Sequence, residues 1–339
     1  MSENGKPKLA MYWASSCGGC EISVLNIHEN ILAVDEAFDI AFFPCIADFK
    51  IKDVEGYPDG HIDVCLFNGA IRNSENEHMA HLLRQKSKVM VAYGSCSYEG
   101  CIPALSNLTT REATLDKVYQ NNPSIENPDQ IIPQTSVHMP EGELTLPEFY
   151  HTVKALDQVV DVDYYLPGCP PEPPQIWAVL QVVVGALTEG KPLPPAGSIL
   201  GAGTVAVCEE CSRTKNEKKI ERFYRPYEIN PDPDQCLLEQ GILCMGIATR
   251  SGCGALCPTV GMGCRGCYGP TDDVEDQGAK MLSAIASVID AGNETMDEDK
   301  LEELIQEAVD TIADPSGTFY RFSMSHSILQ RVKNGKGAA

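Results

Sequence analysis

Lys8-Leu-Ala-Met-Tyr-Trp-Ala-Ser-Ser-Cys-Gly-Gly-Cys-Glu21 is an apolar run that breaks into a pair of thiols separated by two glycines. Residues 8–15 read as a buried strand. Ile22, Leu25, His28, Ile31 and Leu32 follow at helical spacing. Strand, thiol loop and helix make one unit of an α/β fold, with His28 read as a packed histidine on the apolar helix face. Further strands read at 38–47, 64–70, 88–93 and 160–166, and helices at 79–86 and 175–187. Residues 103–150 read as irregular, with turn signals at Asn122-Pro123 and Asn127-Pro128. This alternation predicts a parallel, doubly wound sheet.

Ligands of such sheets lie outside the carboxyl ends of the strands. Cys17 and Cys20 follow the first strand, Cys96 the fourth and Cys169 the fifth. All four therefore fall at one edge, which predicts a four-thiolate site. A redox pair at Cys17 and Cys20 is the plainer reading of Cys-x-x-Cys. It leaves Cys96 and Cys169 unexplained. Cys45 and Cys65 lie in or beside apolar strands and read as core thiols. Cys101, close behind Cys96, stands as a rival fourth ligand.

Beyond a Pro- and Gly-rich linker at 191–203, Cys208, Cys211, Cys236, Cys244, Cys253, Cys257, Cys264 and Cys267 supply two more four-thiol sets. Thiolates select zinc, copper(I) or iron–sulfur clusters. Few apolar runs surround them, so bound metal is expected to contribute folding free energy. Gly-rich turns at 251–257 and 261–267 suit backbone N–H groups aimed at sulfur. Structural zinc also uses paired Cys-x-x-Cys knuckles, and a zinc-stabilised interaction protein is the alternative. Three thiolate sites in one chain suit electron transfer better. The locally basic segment 213–228 reads as a solvated face or as a docking surface for a partner. Helices read at 276–291 and 297–313, before a disordered tail from Lys333.

The 339 residues carry 26 basic and 48 acidic side chains, a net charge of −22. That balance excludes a nucleic-acid partner. No P-loop and no G-x-G-x-x-G after a strand mark a nucleotide site. No apolar run is long enough to span a membrane, and no signal peptide is read, so a cytoplasmic location is expected. Fifteen cysteines, many in Cys-x-x-Cys pairs, then speak for metal over disulfides.

Cys17-Gly-Gly-Cys20-Glu21, Gly94-Ser-Cys96 and Pro167-Gly-Cys169-Pro-Pro171 together resemble the small subunit of NiFe hydrogenases. Cys208-Glu-Glu-Cys211, Cys236-Leu-Leu-Glu-Gln-Gly241, Ser251-Gly-Cys253-Gly-Ala-Leu-Cys257 and Cys264-Arg-Gly-Cys267 resemble the cytoplasmic methyl-viologen-reducing, deazaflavin-non-reducing branch. The resemblance covers nearly the whole chain. It implies a flavodoxin-like domain over 1–195, a smaller iron–sulfur domain of loops and helices over 196–332, and a tail over 333–339. It also implies three 4Fe-4S clusters. The proximal one would be held by Cys17, Cys20, Cys96 and Cys169, the medial by Cys253, Cys257, Cys264 and Cys267, and the distal by Cys208, Cys211, Cys236 and Cys244. Hydrogen chemistry would occur on a separate NiFe large subunit, with no catalytic residue in this chain. Glu21 is either a proton exit at the subunit interface or a plain helix N-terminal carboxylate. Electrons would pass to a small iron–sulfur acceptor subunit and a heterodisulfide reductase-like flavin complex in a methanogenic anaerobe. A relay subunit of a nickel-free complex is a further alternative.

Overall fold

Five apolar runs pair as parallel strands: β1 Lys8–Trp13, β2 Asp39–Phe42, β3 Ile62–Asn68, β4 Ser87–Tyr93 and β5 Tyr164–Leu166. Their order is β2-β1-β3-β4-β5, which reverses direction of growth between β1 and β3, the flavodoxin-like pattern. The computed structural model describes residues 5–216, 220–289 and 298–329. The predicted α/β class with a parallel sheet is what the chain adopts. The chain divides into two compact units, one running to Leu200 and resuming at Met324, the other Gly201–Ser323.

Side chains alternate across the sheet, so each strand feeds two cores. Leu9, Met11, Val64, Leu66, Val91 and Tyr93 face one core. There they pack on Val24 of α1 (Gly19–Leu25), Val34 of α2 (Asn30–Ala37) and Ile176, Leu180 and Val183 of α5 (Pro173–Glu189). Ala10, Tyr12, Cys65, Phe67, Met90 and Ala92 face the other, against Met79 and Leu83 of α3 (Ser74–Lys86). The helix expected at 79–86 thus begins a turn earlier. Asn73 caps it, its side chain accepting from Asn76 N at 2.8 Å.

Three expectations change. The helix after the thiol pair breaks at His28, whose φ is 58°, and His28 is exposed rather than packed. Cys20, Val24 and Ile27 form the buried stripe, while Ile22, Leu25 and Leu32 point outward. The second strand stops at Phe42, so Cys45 lies in an exposed turn and is not a core thiol; Cys65 is. Residues 103–150 hold more structure than expected. They contain a helix over Arg111–Tyr119, a hairpin of Ser136–Met139 with Gly142–Thr145, and the start of Phe149–Lys154, which pairs with Ile71–Asn73. That helix buries no residue, so it leaves no apolar stripe to read.

In the second unit, Ile220, Phe223, Leu237, Ile242, Met245 and Tyr268 are buried, and none of the six lies in an α-helix or a sheet strand. Met281 and Ile285 of α6 (Gln277–Ala286) and Ala308 of α7 (Glu298–Asp310) join them. Residues 290–291 of the first predicted helix, 297 of the second, and the tail from Lys333 lie outside the described residues.

The segment 324–329 rejoins the first unit. Ser325 Oγ donates to Val153 O at 3.0 Å, and His326 Nε2 lies 2.9 Å from Asp157 Oδ1. Burial alone lowers the His326 pKa, but the Asp157 bond and the charges of Asp157 and Glu99 outweigh it and raise the pKa. A raised histidine pKa adds stability that is complete below the unfolded value of about 6.5 and disappears as pH climbs through the folded value. Amide exchange across 324–329, corrected for its intrinsic pH dependence, is therefore expected to accelerate above about pH 6.5. Asp157→Asn should abolish that step.

Candidate metal centres

Three strands of the sheet run into thiols at one edge. Cys17 and Cys20 follow β1, Cys96 lies in α4 (Ser95–Glu99) after β4, and Cys169 follows β5. Backbone bonds tie the last two loops together: Gly94 N to Leu166 O at 2.8 Å and Ser95 N to Gly168 O at 2.9 Å. Gly94 has φ 82°, and a Cβ there would lie 2.5 Å from Cys20 Sγ. A side chain at 94 and the Cys20 sulfur therefore compete for one space. Burial pushes the Cys20 thiol far up, and the charges of Cys96, Glu21, Cys169 and Cys17 push it further. The four predicted residues are thus brought within electrostatic reach of one sulfur.

Glu21 is buried beside them. Asn68 Nδ2 donates to Glu21 Oε1 at 2.6 Å, and burial raises the Glu21 pKa against that bond. Around this edge, Trp13, Ile22 and Leu25 are 44%, 57% and 46% exposed, and Cys17 is exposed too. The rival thiol Cys101 also arrives here. Its Sγ lies 3.9 Å from Cys169 Sγ. The hydrogen bonds to Cys169 and Cys96 push its pKa well up. The same bond lowers that of Cys169.

In the second unit, Cys208, Cys211, Cys236 and Cys244 line a single hollow, together with Arg213, Lys215 and Gly246. Burial pushes the Cys244 thiol up to about 11, although the N–H groups of Gly246 and Cys264 bond it. Cys264 N lies 3.3 Å from Cys244 Sγ. Arg213 is only 7% exposed. It donates to the carbonyls of Pro258, Asp232 and Gln235 at 2.8, 2.8 and 3.0 Å, none of which carries charge. Neither sequence reading of 213–228 anticipated this. The segment starts as a buried arginine beside thiols, and Ile220 and Phe223 are buried as well.

The remaining four cysteines arrive as two pairs. The Cys253 thiol is raised by burial and receives N–H bonds from Ala255 and Leu256, with Cys257 nearby. The Cys264 thiol is raised by burial and by Cys244, receives the N–H of Gly266, and lies near Cys267. Met262 N donates to Cys257 O at 2.9 Å, tying the pairs through the backbone. Arg265 lies within electrostatic reach of both Cys257 and Cys244. Among the described residues, no three His, Cys, Asp or Glu side chains surround a point suited to one metal ion. The donors fit an anionic group with several metal atoms: soft sulfurs, inward N–H groups, and Arg213, a cation that donates to carbonyls.

Known proteins are similar to this chain. The family described as NADH ubiquinone oxidoreductase, 20 Kd subunit, matches residues 17–183. That match ends before the eight cysteines of the second unit. The iron-sulfur subunit of the F420-non-reducing hydrogenase from Archaeoglobus profundus is 40% identical over 85% of this chain and 90% of its own. Its counterpart in the F420-non-reducing hydrogenase of Methanothermobacter marburgensis is 37% identical over 96% of each chain. Among solved structures, the actinobacterial-type NiFe-hydrogenase from Ralstonia eutropha H16 aligns over 91% of this chain and 92% of that one, at 16% identity and a TM-score of 0.49. Among the described residues, no helix is long and apolar enough to cross a membrane.

The Gly94 contact generates a direct test. Gly94→Ala is expected to displace the Cys20 sulfur and to release the metal of the first thiol set, while metal bound within Gly201–Ser323 stays. Metal analysis beside the unsubstituted protein reads this. Full retention of metal would show that the Cys20 sulfur does not need that space.

Proposed function

The chain belongs to the family of small subunits of F420-non-reducing NiFe hydrogenases, and on that premise we propose that it relays electrons through three 4Fe-4S clusters. The observation that carries this reading is the meeting of Cys17, Cys20, Cys96 and Cys169 at one sheet edge, with a four-cysteine hollow formed independently in the other unit. In this reading the first set holds the proximal cluster. Cys253, Cys257, Cys264 and Cys267 hold the medial one, and Cys208, Cys211, Cys236 and Cys244 the distal one. When bound, such clusters accept and give up one electron at a time. The chain's own work is to hold each sulfur and to set its surroundings. Inward N–H groups and Arg213 favour the more negative state and so raise the potential. The bond from Cys264 N–H to Cys244 Sγ connects the medial and distal sets directly.

The NiFe large subunit is the electron donor in this account. Trp13, Ile22 and Leu25 support its docking beside Cys17, because large apolar side chains exposed together mark an interaction surface. Glu21, buried beside Cys20 and bonded by Asn68, supports a proton exit toward that surface, since burial favours its protonated form. Electrons then leave from the distal set to a small iron–sulfur subunit and a heterodisulfide reductase-like flavin complex. We read the complex as cytoplasmic and its setting as methanogenic. The nickel-free alternative accounts for residues 17–183 and leaves the second unit's thiols without a role.

Cys169→Ala in the complex tests the relay. One of three cluster signals should vanish from the electron paramagnetic resonance spectrum of the hydrogen-reduced complex, and the other two should remain. Hydrogen-driven viologen reduction should fall by about 100-fold or more, since even an outer-sphere partner of a metal ligand is worth about 10–100-fold. Three intact signals at full activity would refute the ligand set.

A further inference from the structure

We propose that Cys101 is a fifth thiol of the proximal site, a donor to the ligand sulfur of Cys169 that raises the reduction potential of the cluster held there. This rests on the reading of the first thiol set given above. The Cys101 S–H points to Cys169 Sγ across 3.9 Å, within the range of sulfur hydrogen bonds. Cys96 lies within electrostatic reach of it as well. Cys101 has no exposed surface at all.

The backbone fixes this thiol in place. Cys101 has φ 50°, in the left-handed region that residues with a Cβ seldom adopt. Gly100 before it has φ 82°, and Ser325 Oγ fills the space a Cβ would need there. Ser325 is itself anchored to Val153 O at 3.0 Å. A flexible core cysteine would need none of these restraints.

Four thiolates already serve the four irons of a 4Fe-4S cluster, which leaves Cys101 outside the ligand count. Its S–H is a weak donor. A donor aimed at ligand sulfur stabilises the reduced, more negative cluster over the oxidised one. Cys101 would thus make the first cluster in the chain easier to reduce.

The test uses the purified anaerobic complex carrying Cys101→Ala or Cys101→Ser, with iron analysis and a potentiometric titration followed by electron paramagnetic resonance. Both variants should keep the full iron content. In Cys101→Ala one midpoint should move to lower potential while the other two stay. Cys101→Ser, which retains a donor, should return that midpoint toward its original value. Unmoved midpoints in Cys101→Ala would make Cys101 a bystander. Loss of one cluster from Cys101→Ala, with the cluster kept in Cys169→Ala, would make Cys101 the ligand instead. Absence of iron from the first thiol set in the unsubstituted complex would overturn the underlying site assignment, and the proposal with it.

Discussion

Parallel strands all end on the same side. That constraint lets Cys17, Cys20, Cys96 and Cys169, which are spread across the first unit's sequence, meet at a single edge. The loops after β4 and β5 are joined by the bonds of Gly94 and Ser95. Gly94 leaves its side-chain space to the Cys20 sulfur. The sheet thus does for the first site what short spacing does for the others. It sets sulfurs at fixed positions without relying on flexible loops.

Charge is the second constraint. A chain with a net charge of −22 must still hold groups of thiolates, and each further negative charge in a buried site is costly. Local cations and dipoles offset this. Arg213 is buried with uncharged partners beside the four-cysteine hollow, and Arg265 lies within reach of Cys257 and Cys244. Backbone N–H groups turn toward Cys244, Cys253 and Cys264. The thiols of the second unit are thus locally compensated despite the overall acidity.

Much of this was legible in the sequence. Strongly apolar runs marked the five strands, and their alternation with helices marked the parallel sheet. The cysteine spacing marked the second unit, where Cys208, Cys211, Cys236 and Cys244 gather around one hollow. What escaped reading has physical causes. The stripe Ile22, Leu25 and Leu32 looked like a core face, but Cys20, Val24 and Ile27 share the same helical period and are the residues that face the sheet. His28 breaks the helix through its backbone conformation, which periodicity does not encode. Arg213 looked like surface charge because its partners are carbonyls contributed by Asp232, Gln235 and Pro258. Cys101 was visible as a rival ligand, but its approach to Cys169 depends on the left-handed turn after Gly100 and on Ser325 from the far end of the chain.

The central claim is that this chain carries three four-iron clusters for a nickel-containing partner. Iron, acid-labile sulfide, zinc and nickel determination on the anaerobically purified native complex tests it most directly. The account predicts about twelve irons and twelve sulfides in this chain, with nickel confined to the co-purifying large subunit. Zinc in place of iron would contradict the electron relay. Iron without nickel in the complex would contradict its assignment to a hydrogenase.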